Sequence, residues 1–341
     1  MYLERIMEGR DLGLDEAEAL MGEIFEGATD SQIGALLVAL RIKGEAVSEI
    51  AGMAKKMRCS AIRIEPKVEG PLVDTCGTGG DSSHTINVST GAAIVAASCG
   101  VAIAKHGNYA VSSRSGSANV LDELGVNISP EPEAVRRSIE ELGIGFMLAP
   151  LYHPAMKRVA QVRRDLGTRT VFNVLGPLTN PAGASAQVMG VYDPALCPKL
   201  AQVLGLLGSS RALVVHGQGM DEIANTGETI VSELRDDGSV ESYTIMPEDM
   251  GYPLAKPSDI AGGTPYENAE ILVRILQGVR SPARDIVAMN AGAAVDVSGR
   301  ASSIEEGAAL AEEAIDSGKS IELLKRLVEM NGNVERLGRF L

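Results

Sequence analysis

The stretch PLVDTCGTGGDSSHTINVST, residues 71–90, passes from an apolar run through a glycine-rich loop to a segment that can open a helix. PLVDT begins a strand, Gly77, Gly79 and Gly80 make the loop, and a helix is expected over about 89–99. A strand–loop–helix unit is the repeating element of an α/β domain with a mostly parallel sheet. Glycines let backbone N–H groups crowd an anion, and a helix N-terminus adds partial positive charge. A dinucleotide fingerprint would need glycine where Ser82 stands, and no G-K-[ST] follows, so this is neither that fingerprint nor a P-loop. The plainer alternative is a glycine-rich turn that holds no ligand.

Outward from this unit the alternation continues. Strand-like runs stand at VAIA (101–104), GFML (145–148), QVMGVY (187–192) and ALVVH (212–216), with helical segments at about 117–125, 131–142 and 196–208. TIVSEL and SVESYTI read as an antiparallel pair around Asp236-Asp237-Gly238, and from about Asn268 the chain is mostly helix. Before residue 65 only helices are expected. Leu3, Ile6 and Met7 recur at helical spacing, as do Leu20, Ile24 and Phe25; Thr29 and Gln32 form a capping-box pattern; a fourth helix runs from about Ser48 to Met57. Pro66 to Pro71 reads as a linker. The fold class is therefore α/β: a small helical domain plus a larger α/β domain with a central mostly parallel sheet flanked by helices.

A length of 341 residues suits about two domains. Hydrophobic residues make up 45% but aromatics only 3%, so packing must rest on aliphatic side chains. The net charge of −14 disfavours broad nucleic-acid binding, and any anionic ligand must meet a local basic site or arrive with a cation. Cys59, Cys76, Cys99 and Cys197 form no C-x-x-C pair and no zinc-like spacing, which points to free thiols and a cytoplasmic protein. The N-terminal segment lacks the uncharged apolar core of a signal peptide, and no run of about 18 apolar residues suggests a membrane span.

Three further segments carry chemistry. KHGNYAVSSRSGSAN (105–119) follows a strand and precedes a helix that Ser115 or Ser117 could cap, with Val120, Leu121 and Leu124 as its apolar face. Lys105, His106 and Arg114 offer positive charge there. Two successive connections of this kind lie side by side at the C-terminal ends of parallel strands, where ligands bind. HGQGMDEIANTGET (216–229) places the adjacent carboxylates Asp221 and Glu222 in a glycine-flanked loop, suited to Mg²⁺ shared with substrate phosphates; a solvated acidic loop is the alternative. HPAMKRVAQVRRDLGTRTVFNVLGPLTNPAG (153–183) concentrates Arg163, Arg164 and Arg169, and a planar guanidinium suits a carboxylate.

Taken together, DTCGTGGD with INVST, KHGN…SSRSGSANVLDELG, HPAM…VRRDLGTRTVFNVLGPLTNPAG and HGQGMDEI resemble the anthranilate phosphoribosyltransferase family. GEIFEGATDSQIGALLVALRIKGE, NAEILVRILQG and NAGAAV extend the resemblance over essentially the whole chain. It implies a helical domain of residues 1–68, joined by about 154–182, an α/β domain of 69–153 and 183–341, and a homodimer formed through the helical domain. The implied reaction joins anthranilate to 5-phosphoribosyl 1-diphosphate, inverting C1 of the ribose and releasing diphosphate, the second step from chorismate in tryptophan biosynthesis. Neither nucleic acid nor membrane is an implied partner.

By the same resemblance, Gly77, Gly80, Asp81, Thr85, Asn87, Val88, Ser89 and Thr90 contact the diphosphate sugar. Lys105, His106, Gly107, Asn108, Tyr109, Ala110, Val111, Ser112, Ser113 and Ser117 complete its cradle. Gly77, Asn108, Arg163 and Gly176 meet anthranilate, Arg163 facing its carboxylate. Ser89, Asp221 and Glu222 hold two Mg²⁺ ions per monomer. No nucleophilic residue and no covalent intermediate is implied, because the aniline nitrogen of anthranilate is mostly uncharged at neutral pH and needs no strong base, and diphosphate leaves once its charge is neutralised. Tyr109 stands where the family has Arg, and Asn119 where it has Asp. Two rival readings share the architecture: a pyrimidine nucleoside phosphorylase, and a non-catalytic relative that binds nucleic acid.

Overall fold

The computed structural model describes residues 2–81, 83–110 and 114–341. Seven strands form one sheet: β1 (Leu72–Gly77), β2 (Ala102–Gly107), β3 (Ile144–Leu148), β4 (Ala186–Gly190), β5 (Arg211–Gly217), β6 (Thr229–Leu234) and β7 (Val240–Ile245). Their order is β3-β2-β1-β4-β5-β6-β7. The first five run parallel, and β6 and β7 close the sheet antiparallel. The chain leaves β1 toward β2 and β3, then returns to its other side with β4. That reversal opens a crevice beyond the C-terminal ends of β1 and β4, the place where ligands bind in such sheets.

Alternation along the strands feeds two cores. Val73, Ile103, Val188, Leu213 and Val215 face helices Val88–Ser98 and Pro282–Val297. Met189, Val191, Ala212 and Val214 face helix Leu196–Leu206, and this second core continues into the N-terminal helices. Those helices are Tyr2–Met7, Leu14–Glu26, Asp30–Lys43 and Val47–Cys59, and Val159, Val162, Phe172 and Leu175 pack in the same cluster. Thr29 caps the third helix as expected, its hydroxyl accepting from the Gln32 N–H while Gln32 Oε1 accepts from the Thr29 N–H at 2.8 Å.

Two sequence expectations need correction. Met7 is 72% exposed, because the short first helix turns only Ile6 fully inward. The helix after the second loop is Ser117–Glu123, and its N-cap is Gly116 rather than a serine. Asn119, in its first turn, reaches back to accept from the Gly116 N–H at 3.1 Å and so replaces the serine cap. The helix after the first loop starts at Val88, with Asn87 as N-cap. All four cysteines are free. Among the described residues no helix is long and apolar enough to cross a membrane.

Candidate active site

The glycine loop after β1 is held from three sides. The Thr78 N–H donates to the Gly190 carbonyl at the end of β4 (3.0 Å), and Thr78 Oγ1 accepts from the Tyr192 N–H (3.1 Å). The Gly79 N–H donates to Asp221 Oδ2 at 2.7 Å. The Gly80 carbonyl accepts from the Arg169 guanidinium, which lies over the Tyr192 ring at 4.0 Å. Gly79 and Gly80 adopt φ of +67° and +76°, which L side chains rarely take.

The acidic loop after β5 seats directly on strand-end glycines. A Cβ at Gly190 would lie 1.5 Å from the Asp221 carbonyl oxygen, and one at Gly77 would lie 2.2 Å from Asp221 Oδ2. At Gly217 a Cβ would come within 2.7 Å of the Glu222 carbonyl. Asn290, on helix Pro282–Val297, clamps the next residue: Oδ1 accepts from the Ile223 N–H, and Nδ2 donates to the Ile223 carbonyl, both at 2.9 Å. Sequence reasoning missed Gly190, Gly217 and Asn290. Glycine inside the run QVMGVY was the available signal, since a strand glycine often marks close approach of another backbone.

Asp81, Asp221 and Glu222 then share one small volume. The Asp221 N–H donates to Asp81 Oδ2 at 3.4 Å. Burial, and then the Asp81 charge, push the Asp221 carboxyl up to about 6. Burial, followed by Asp221, raises Glu222 well above the usual carboxylate range. Lys105 is 3% exposed beneath them, donating to the Thr75 carbonyl at 2.5 Å and to Ser89 Oγ at 3.3 Å. Burial lowers its pKa, opposed by Asp74, Cys76, Glu222 and Asp221. It is a buried countercharge rather than an arm reaching into solvent. The acids remain underneutralised, and oxygen donors in that state fit a hard divalent cation.

The second loop leans on the first. Asn87 Oδ1 accepts from Asn268 at 2.8 Å and from Ser115 Oγ at 3.2 Å, so Asn87 ties the two loops and helix Pro265–Leu276 together. The Asn108 carbonyl accepts from Ser117 Oγ and the Ala118 N–H, and Asn108 Oδ1 accepts from the Tyr109 N–H at 2.8 Å. Asn119 Oδ1 also accepts from the Ala110 N–H at 3.0 Å, bracketing the loop from 110 to 116 without a charge. Gly107 admits no side chain, since a Cβ would meet Ser117 Oγ at 2.3 Å. Tyr109 is exposed, as is Arg114. Val88 is fully buried, Thr90 is buried with its hydroxyl unpartnered among the described residues, and Thr85 bridges to Ala261. Val111, Ser112 and Ser113 lie outside the described residues.

Arg163 and Gly176 come from the segment after β3. Arg163, on helix Lys157–Leu166, is largely buried, stacks over Phe172 at 5.5 Å, and burial lowers its pKa. It makes no ion pair among the described residues, and no hydrogen bond joins it to Asn108 or Gly176. Gly176 meets the second loop instead: its backbone bonds the His106 ring. His106 and His153 face each other at 5.1 Å, buried, each with an Nε2 that has no partner among the described residues. Burial drives His106 down to about 3 and His153 to about 4, so both are neutral. His153 was quoted in the sequence but not singled out, because its neighbour lies on another element.

The chain matches the glycosyl transferase family helical bundle domain over residues 1–61 and the glycosyl transferase family a/b domain over residues 69–321. It is 55% identical to the anthranilate phosphoribosyltransferase of Methanococcoides burtonii, over 97% of this chain and 94% of the relative. The Methanosarcina barkeri anthranilate phosphoribosyltransferase is 58% identical over 93% and 87%. This chain belongs to the anthranilate phosphoribosyltransferase family. A solved member from Thermus thermophilus superposes with a TM-score of 0.92 at 45% identity, covering 96% of this chain and 98% of that one. The Saccharomyces cerevisiae anthranilate phosphoribosyltransferase, solved in complex with PRPP and Mg, gives 0.87 at 29% identity over 96% of both chains. The same yeast enzyme with 4-fluoroanthranilate gives 0.82 at 28% identity, over 93% of this chain and 91% of that one. The family fold, a helical bundle beside a larger α/β domain, is the one described above.

Proposed function

We infer that this chain transfers the phosphoribosyl group of 5-phosphoribosyl 1-diphosphate to the amine of anthranilate, releasing diphosphate, in tryptophan biosynthesis. The observation that carries the reading is the underneutralised Asp81–Asp221–Glu222 cluster, seated by glycines against the Gly77–Asp81 loop at the sheet's switch point. A nucleoside phosphorylase, which binds bare phosphate, has no need of that cluster.

Among the described residues no three His, Cys, Asp or Glu side chains are arranged to hold a metal by themselves. Asp221 and Glu222, with Ser89 beside them, would therefore hold Mg²⁺ only together with substrate oxygens, two ions per monomer in this reading. Bound there, Mg²⁺ neutralises charge developing on the diphosphate. The protein's own part is positioning. In this reading Gly77, Gly80, Asp81, Thr85 and Asn87–Thr90 lie along one side of the sugar, and Lys105–Ala110 with Ser117 along the other. Arg163, desolvated and without a carboxylate partner, takes the anthranilate carboxylate, with Gly77, Asn108 and Gly176 beside the ring.

Residues 1–68 with about 154–182 act as one domain in this reading, and 69–153 with 183–341 as the other, closing on the substrates in a homodimeric, cytoplasmic enzyme. Anthranilate is fluorescent, so its signal should decay only when protein, diphosphate sugar and Mg²⁺ are all present. No decay, together with phosphorolysis of uridine or thymidine, would overturn the reading.

A further inference from the structure

Of the three restraints on the glycine loop, two come from the sheet and its strand-end loops: Thr78 on the end of β4, and Gly79 on Asp221 in the loop after β5. The third comes from outside it. Arg169 belongs to the segment that follows helix Lys157–Leu166, and its backbone carbonyl accepts from Arg41 Nη1 at 2.7 Å, on helix Asp30–Lys43. Its guanidinium crosses to the Gly80 carbonyl and lies over Tyr192 at 4.0 Å. Arg41, Arg169, Gly80 and Tyr192 thus form a chain of contacts from the helical bundle to the loop. A Cβ at Gly80 would sit 3.3 Å from the Arg169 guanidinium, so the loop backbone itself is the surface on which the guanidinium rests.

We propose that Arg169 is a positioning residue that couples the seating of the helical bundle to the shape of the Gly77–Asp81 loop, and hence to binding of the diphosphate sugar. The inference rests on the reading that this loop takes that sugar. By holding the Gly80 carbonyl, Arg169 fixes the plane of the trans peptide between Gly80 and Asp81, and so the direction of the Asp81 N–H. A lysine retains the charge but not the planar fork that both donates and stacks. Because coupling is reciprocal, a bound diphosphate sugar steadies the bundle by as much as the bundle steadies the sugar.

The test uses the full chain as Arg169→Gln, Arg169→Lys and Tyr192→Leu. Affinity for 5-phosphoribosyl 1-diphosphate with Mg²⁺ is read by titration calorimetry without anthranilate, alongside both KM values and unliganded melting. Arg169→Gln should weaken sugar binding about tenfold or more, the loss expected for one charge-assisted bond. Arg169→Lys should recover part of that loss, and the KM for anthranilate should not follow it. Should Arg169→Gln not fold, Tyr192→Leu, which removes only the stacking platform, should still weaken sugar binding more than it raises the KM for anthranilate. Unchanged sugar affinity with a lowered melting temperature would make Arg169 merely structural and overturn the proposal, as would a rise confined to the KM for anthranilate. Failure of the wild-type protein to bind the sugar in the same titration would instead refute the reading of the loop.

Discussion

Gly190 has no space for even a methyl group, since the Asp221 carbonyl oxygen lies 1.5 Å from where its Cβ would stand. Gly190→Ala must push the acidic loop off the sheet by an ångström or more. Because misplacements of about that size cost on the order of 100-fold in rate, we expect kcat/KM to fall by about that factor, read by anthranilate fluorescence with melting recorded in parallel. A variant with wild-type turnover would show that the seat is unimportant. At Arg163 the expectation differs: Arg163→Ala should raise the KM for anthranilate roughly 10- to 100-fold, the value of a charged hydrogen bond, and the KM for the diphosphate sugar far less. Asp221, Glu222 and Arg163 were legible in the sequence because adjacent acids in a glycine loop, and arginines clustered on one helix, carry their chemistry locally. Gly190 was not, nor were the contacts of Arg169 with Gly80 and Tyr192, because those partners are remote in sequence and only the fold supplies them.

Helix Pro282–Val297 shows the same limit one level up. The sequence displayed NAGAAV as apolar and helical, but not that Asn290 pins the backbone of a loop 67 residues earlier. Asn290→Leu frees Ile223 and, through it, Glu222; the Mg²⁺ concentration for half-maximal rate should rise about tenfold, with calorimetry of Mg²⁺ and diphosphate sugar as an independent readout. A variant with unchanged Mg²⁺ dependence would show that the clamp only stabilises the helix. Where β2 meets the segment before helix Lys157–Leu166, His106 and His153 bury neutral rings, with pKa values lowered to about 3 and about 4. The unfolded chain takes up these protons near pH 6.5 and the folded protein does not, so the stability they contribute is full above about 6.5 and is lost as pH falls toward 4 and 3. His153→Gln should therefore flatten the loss of melting temperature between pH 6.5 and 4; an unchanged slope would contradict the burial of neutral imidazole.

At the scale of the whole molecule, the alternation of strands and helices, the all-helical beginning and the antiparallel end were readable because periodicity and turn residues act over short spans. Which face stays uncovered was not. Met7 and Ile42 are 72% and 81% exposed and Val38 is 37% exposed, on two N-terminal helices that pack against each other. A second copy of this chain would cover that face in the proposed homodimer, so Ile42→Glu should yield monomers by analytical ultracentrifugation where the wild type gives dimers, and a monomeric wild type would refute the dimer. The central claim concerns the crevice beyond β1 and β4, where an acidic protein gathers a diphosphate sugar by way of a cation. Crystals grown with 5-phosphoribosyl 1-diphosphate and Mn²⁺ in place of Mg²⁺ test it most directly, because Mn²⁺ scatters anomalously. The account predicts anomalous peaks at Asp221 and Glu222, bridging to the diphosphate over Gly77–Asp81; peaks elsewhere, with that loop empty, would contradict it.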